Sequence, residues 1–180
     1  MKRTEVVLSK LLKGATAGAI GGLLGSWCMS LFAGAFDRLV LKERPRPFLV
    51  KGSKLAMNAS PQEWDSTVVV ASEFSRRVLG RELTRQQRAL GATAVHYAMG
   101  AGLGAAYGAA NEVAPITKAG AGLGFGIGLW LVAFEYLMPK FGLTRHREEY
   151  SKAMHADSAG EHVVFGMTTE LVRSAIRRQL

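Results

Sequence analysis

The chain has 180 residues, room for one domain and little more. One cysteine excludes a disulfide scaffold and a thiolate metal cluster, and five prolines with no Gly/Ser/Pro-rich tract exclude a long disordered linker. With 21 glycines inside a 48% hydrophobic composition the apolar content rests on small residues, and the net charge of +9 calls for an anionic partner.

Charged residues fall in blocks, and the gaps between them carry the first prediction. Behind a basic start (Lys2, Arg3, Lys10, Lys13), residues 14–36 contain no Asp, Glu, Lys or Arg. The same holds for 89–111, between Arg88 and Glu112, and for 119–139 apart from Glu135. At ~1.5 Å per residue each stretch is long enough for the ~30 Å of a bilayer core. Three transmembrane helices are expected. A secretory h-region of only ~7 to 15 residues would be shorter than the first stretch, which fits a retained anchor, with Cys28 a small buried hydrophobe. The competing reading is a soluble bundle with buried glycine-rich helices, and the mean hydropathy of +0.11 averages the spans with a polar connection.

The connection, 37–88, opens with Arg44-Pro45-Arg46-Pro47 and Phe48, held extended by its X-Pro steps and suited to anionic headgroups. Asn58-Ala59-Ser60 spells a glycosylation triplet, but Ser60, Pro61 and Glu63 also form a helix start. The helix predicted from there to about residue 79 sets Trp64, Val68, Ala71, Phe74 and Val78 opposite Glu63, Asp65, Ser66, Glu73, Arg76 and Arg77. It reads as an amphipathic helix on the membrane surface or packed over the spans. Thr84 with Gln87 marks the start of the second span, and Ser158 with Glu161 that of a last helix at about 159–177. That helix holds Glu161, His162, Glu170 and Arg173, so it must turn its polar side to other helices or lie at the interface. The fold class expected is all-α: an integral membrane helical bundle of three to four spans plus an amphipathic surface helix, one domain over 1–180. The distribution of Lys and Arg leaves the orientation open.

Each span carries glycines at a four-residue step: Gly14, Gly18 and Gly22; Gly100, Gly104 and Gly108; Gly120, Gly124 and Gly128. Such rows let helix backbones approach closely in lipid. Packing within one chain is expected, and an oligomeric pore would use the same grooves between chains. Polar residues follow the rows. His96 precedes Gly100 by one turn, Glu135 follows Gly128 by two, and His162, Gly166 and Glu170 repeat the step. With the second and third spans paired antiparallel through 113–117, His96, Glu135 and His162 are expected at one side, with Tyr107, Glu112 and Glu170 toward the other. A His/Glu group in a low-dielectric bundle can respond to protons between about pH 5 and 7. The same residues can instead act as hydrogen-bonded glue between helices, and a two-His, one-carboxylate metal site from His96, His162 and Glu135 is a third reading.

No nucleophile elbow, phosphate loop, zinc-hydrolase motif or nucleic-acid recognition pattern is present, so no catalysis, cofactor or nucleic-acid partner is expected. His96, Tyr107 and Glu112, the glycine-rich third span, the segment Leu137-Met138-Pro139-Lys140-Phe141-Gly142-Leu143, and His162 with Glu170 and Arg173 resemble the YagU-like bacterial inner-membrane proteins. The first span with its Arg-Pro-Arg-Pro segment is similar too; Glu135 does not match the pattern. The resemblance implies a small multi-span inner-membrane protein linked to survival at acid pH. The function expected is thus acid response or membrane integrity through His96, His162, Glu112 and Glu170. The alternatives are an accessory subunit docked by its glycine faces on a larger membrane complex, a homo-oligomer, or a small transporter or pore.

Overall fold

The computed structural model describes residues 2–40, 66–114, 120–137, 140–141 and 152–180, and every regular element among them is helical. The Arg44 to Phe48 connection, the Asn58 triplet, the Ser60–Pro61–Glu63 start, Trp64 and the 115–117 hairpin turn lie outside the described residues.

Helix α1 runs Lys2–Leu39, because nothing between Lys2 and Lys13 breaks a helix; Glu5 in its first turn and Arg38 in its last complement the helix dipole. Its length is about 57 Å, well beyond the hydrocarbon thickness. Helix α2, Ser66–Phe74, continues as a π-helical turn, Ser75–Leu79, closed by Gly80 at φ 65°. Helix α3, Arg85–Val113, starts at a reciprocal cap: the Gln87 backbone N–H donates to Thr84 Oγ1 at 3.4 Å and the Thr84 N–H donates to Gln87 Oε1 at 3.0 Å. Helix α4, Leu123–Leu129, widens into a π-helix over Trp130–Leu137. Helix α5 is Lys152–Arg177.

By length and composition one described helix, Thr4–Leu39, can cross a membrane, and only 28% of its most apolar window is buried. Leu123–Leu137 is apolar but shorter. The charge-free part of α3 is built from glycine and alanine, which keeps its hydropathy low despite its length.

Two boundaries differ from expectation. The last helix starts at 152, not 159, since nothing from Lys152 to Ala156 breaks a helix; Ser158 and Glu161 lie buried inside α5, past its start. The third apolar helix starts at 123, not 119, because Gly120, Ala121 and Gly122 have φ of 76°, 51° and 86°, a left-handed run incompatible with a right-handed helix.

The chain divides into two compact units. The first comprises Met1–Met29, Tyr97–Leu129 and Ala159–Leu180. Within it α1 lies antiparallel on α3: a Cβ added at Gly18 or Gly22 would overlap the carbonyl oxygen of Gly104 or Gly100, and one at Gly14 would sit 2.5 Å from the Gly108 carbonyl oxygen. A second ridge of α1, Gly21 and Gly25, packs on the backbone of α5 at Thr169 and Phe165. α4 meets α5 where Gly122 and Gly126 abut the backbone of Gly166 and His162. Phe125 stacks on Tyr107 with centroids 4.1 Å apart and tilts against Phe165 at 5.8 Å. Each close glycine contact accepts a poor helix former, about 1 kcal/mol, in exchange for backbone approach.

The second unit comprises Ser30–His96 and Trp130–Ser158. Val68 and Ala92 form its buried apolar pair, and Ala71 packs at Gly91. The expected stripe on α2 divides: Val68 and Ala71 are buried, whereas Phe74, at the end of the regular helix, and Val78 are exposed, and for Val78 the wider π turn rotates the face that a 3.6-residue period would align.

Candidate functional site

Among the described residues, a polar assembly lies within the first unit, between α3 and α5. From α3 come Tyr107, Asn111 and Glu112; from α5, one turn apart, come Glu170, Arg173, Ser174 and Arg177. Arg173 grips Glu170 with both Nε and Nη2 at 2.7 Å, and both side chains are buried. Ser174 Oγ donates to Glu170 Oε1 at 2.6 Å, so two donations from Arg173 and one from Ser174 converge on this buried carboxylate. Arg177 donates to Glu112 through Nε at 2.7 Å and Nη2 at 3.1 Å, which ties the last turn of α5 to the last turn of α3. Gly14 of α1 makes room for this pair, because a Cβ there would meet Glu112 Cγ at 2.5 Å. Asn111 Nδ2 donates to the Tyr107 carbonyl at 3.0 Å, and Thr169 Oγ1 to the Phe165 carbonyl at 2.7 Å, each on its own helix.

Two carboxylates face two guanidiniums here, and each is held bidentately. Such an arrangement locks helices together. Tyr107, Glu112 and Glu170, expected at one end of the bundle, do share this assembly. The sequence does not announce Arg177 as the partner of Glu112, a pairing that spans 65 residues, whereas Arg173 follows Glu170 at the three-residue spacing of a helical ion pair.

In the second unit, Glu135 and His155 meet at 2.8 Å between Oε1 and Nδ1, with side-chain exposures of 6% and 26%. Glu135 projects from the π-helical turn of α4 and His155 from the first turn of α5. A last helix beginning at 159 leaves His155 outside it, which is why the sequence does not single this residue out. His96 reaches Ser30 Oγ, 3.4 Å away, and belongs to this unit, while His162 belongs to the first, where its carbonyl lies against Gly126. His155 is thus a histidine partner of Glu135 that the sequence does not name. Among the described residues no group of three His, Cys, Asp or Glu side chains is placed to hold a metal ion.

The glycine rows are also re-sorted. Gly14, Gly18 and Gly22 face Gly108, Gly104 and Gly100. The third row is displaced: a Cβ added at Gly124 or Gly128 would meet nothing within 4 Å and one at Gly120 only Leu123 at 3.8 Å, whereas Gly122, Gly126 and Gly166 make the contacts. The left-handed run at 120–122 sets this phase, turning the 122/126 side of α4 toward α5.

Compared with protein-family models, with curated proteins and with solved structures, the chain matches none of them.

Proposed function

We propose that this chain is an integral membrane protein of the bacterial inner membrane. In this reading it is a bundle of three to four helical spans with no catalytic activity that serves acid response or membrane integrity through protonatable side chains held between its helices. The observation carrying this reading is the distribution of side chains on α1 and α5. Buried positions hold Gly14, Ala17, Gly18, Gly21, Gly22 and Ser26 on α1, and Glu161, Thr169, Glu170 and Arg173 on α5. Outward positions hold Leu12, Ile20, Leu23, Leu24, Trp27 and Leu31 on α1, and Met167 and Leu171 on α5. A water-soluble bundle sorts these classes the other way. At ~25 cal/mol per Å² such an outer surface is costly in water and costs nothing in hydrocarbon, where close backbone contact and polar pairing supply the cohesion instead. The likeness of His96, Tyr107, Glu112, His162 and Glu170 to the YagU-like pattern agrees with it.

Within this reading the contact of Glu135 with His155, 2.8 Å, holds α4 to α5, and Glu112 and Glu170 serve as partners of arginine. Alkaline carbonate extraction of expressing cells tests the placement: retention in the membrane pellet supports it, and release into the supernatant refutes it.

A second reading, an accessory subunit docked on a larger membrane complex, is favoured by one observation. Gly124 and Gly128 leave a small-residue row of α4 open to the outside. Gly124→Leu should then release co-purifying partners, and unchanged co-purification removes this reading.

A further inference from the structure

The corner between α2 and α3 has a feature the bundle does not use. Phe74, the last residue of the regular helix, is 60% exposed, and past it the helix widens, so Val78 and Leu79 leave the Val68–Ala71 face and are 62% and 55% exposed. The corner is nevertheless built. Ser75 is buried and its hydroxyl donates to the Arg81 carbonyl at 2.9 Å, and Gly80 ends the helix in the left-handed conformation only glycine adopts freely. Arginines stand around the apolar cluster. Arg76 and Arg77 hydrogen-bond Glu73 at 2.7 to 3.1 Å along the outer surface, and Arg81 and Arg85 are exposed beyond them. Four arginines oppose two glutamates, Glu73 and Glu82, so the corner is cationic. Arg85 opens α3, and the charge-free stretch begins four residues later, about 6 Å along the helix.

We propose that this corner is a docking element for anionic phospholipid. Phe74, Val78 and Leu79 enter the interfacial layer, and Arg76, Arg77, Arg81 and Arg85 bind lipid phosphates. The inference rests on the membrane reading above. Three observations select this occupant. Exposed apolar and cationic side chains alternate within one turn, which suits a layer that is apolar on one side and anionic on the other. Guanidinium groups bind phosphate oxygens bidentately, and their stems lie along apolar surface while the heads reach water. The corner also stands at the level where α3 loses its charges, which in the membrane reading is the headgroup level. Glu73 orients Arg76 and Arg77 on the outside of the turn without burying them.

The full chain, with Cys28→Ala and a polarity-sensitive fluorophore at either Val78→Cys or Leu171→Cys, is reconstituted into vesicles of phosphatidylcholine with or without phosphatidylglycerol. Quenching is read with lipids spin-labelled near the headgroup, with lipids spin-labelled deep in the chain, and with aqueous iodide. The expected result is shallow-lipid quenching at Val78 that needs phosphatidylglycerol and is lost when all four arginines are replaced by Gln; Leu171 is quenched by the deep label in both lipids. The double variant Arg81→Gln/Arg85→Gln, which leaves the Glu73 hydrogen bonds intact, must weaken the phosphatidylglycerol dependence if the quadruple variant fails to insert. Iodide quenching alone at Val78, shielding of Val78 from lipid and iodide alike by a protein cover, or equal quenching in both lipids overturns the docking element while Leu171 still reports lipid. Iodide quenching alone at Leu171 overturns the membrane reading itself.

Discussion

Arg177 and Glu112 join the ends of two helices that are 65 residues apart in sequence, through two hydrogen bonds of 2.7 and 3.1 Å. The pair is partly exposed, whereas Arg173 and Glu170, one turn deeper, are buried. The two pairs should therefore differ in worth. Arg177→Ala is expected to cost about 2 kcal/mol, and Arg173→Ala about 3 to 5 kcal/mol because it strands a buried carboxylate. Unfolding of the detergent-solubilised chain by denaturant checks the order; equal costs would place both pairs in the same environment.

The glycine rows give a sharper contrast. Gly104→Leu should abolish the folded bundle, since a Cβ at that position already overlaps the backbone of Gly18. Gly128→Ala meets nothing within 4 Å and should stabilise the chain by about 1 kcal/mol through helix propensity alone. Thermal midpoints of the two variants in the same detergent decide the matter.

Ala121 holds φ 51° between two left-handed glycines. Ala121→Gly relieves a strain of roughly 1 to 2 kcal/mol, less the added freedom of glycine in the unfolded chain, and a net gain of up to about 1 kcal/mol is expected. A loss of stability in denaturant titration would mean that the alanine methyl contributes packing.

At the α2 corner, Arg76 beside Glu73 holds the Glu73 carboxyl below its ordinary range. Its charge therefore persists in mildly acid solution and is lost only as pH falls through that lowered value. Glu73→Gln adds one unopposed positive charge at neutral pH, so binding to phosphatidylglycerol vesicles should rise relative to wild type and show a steeper salt dependence.

Much of the helical plan is legible in the sequence because its signals are local. Thr84 and Gln87 announce the α3 start by residue type and spacing alone, and the Gly14 and Gly100 rows follow from a four-residue period. What is not legible depends on backbone phase or on distant partners. The positive φ run at 120–122 shifts the packing side of α4 by two residues, so Gly122 and Gly126 replace the Gly120, Gly124 and Gly128 row. The π turn after Phe74 breaks a stripe that a helical wheel draws as continuous. Arg177 and His155 find their carboxylates only through helix packing, and composition offers no cue for which acid each one meets.

The most direct test of the central claim, that lipid surrounds the outward Leu, Ile and Trp side chains of α1 and α5, is removal of detergent. The purified full chain is exchanged into plain buffer and followed by sedimentation velocity and far-ultraviolet circular dichroism. Aggregation or loss of the monomeric helical species is the result expected. A monodisperse, fully helical monomer in buffer would contradict it.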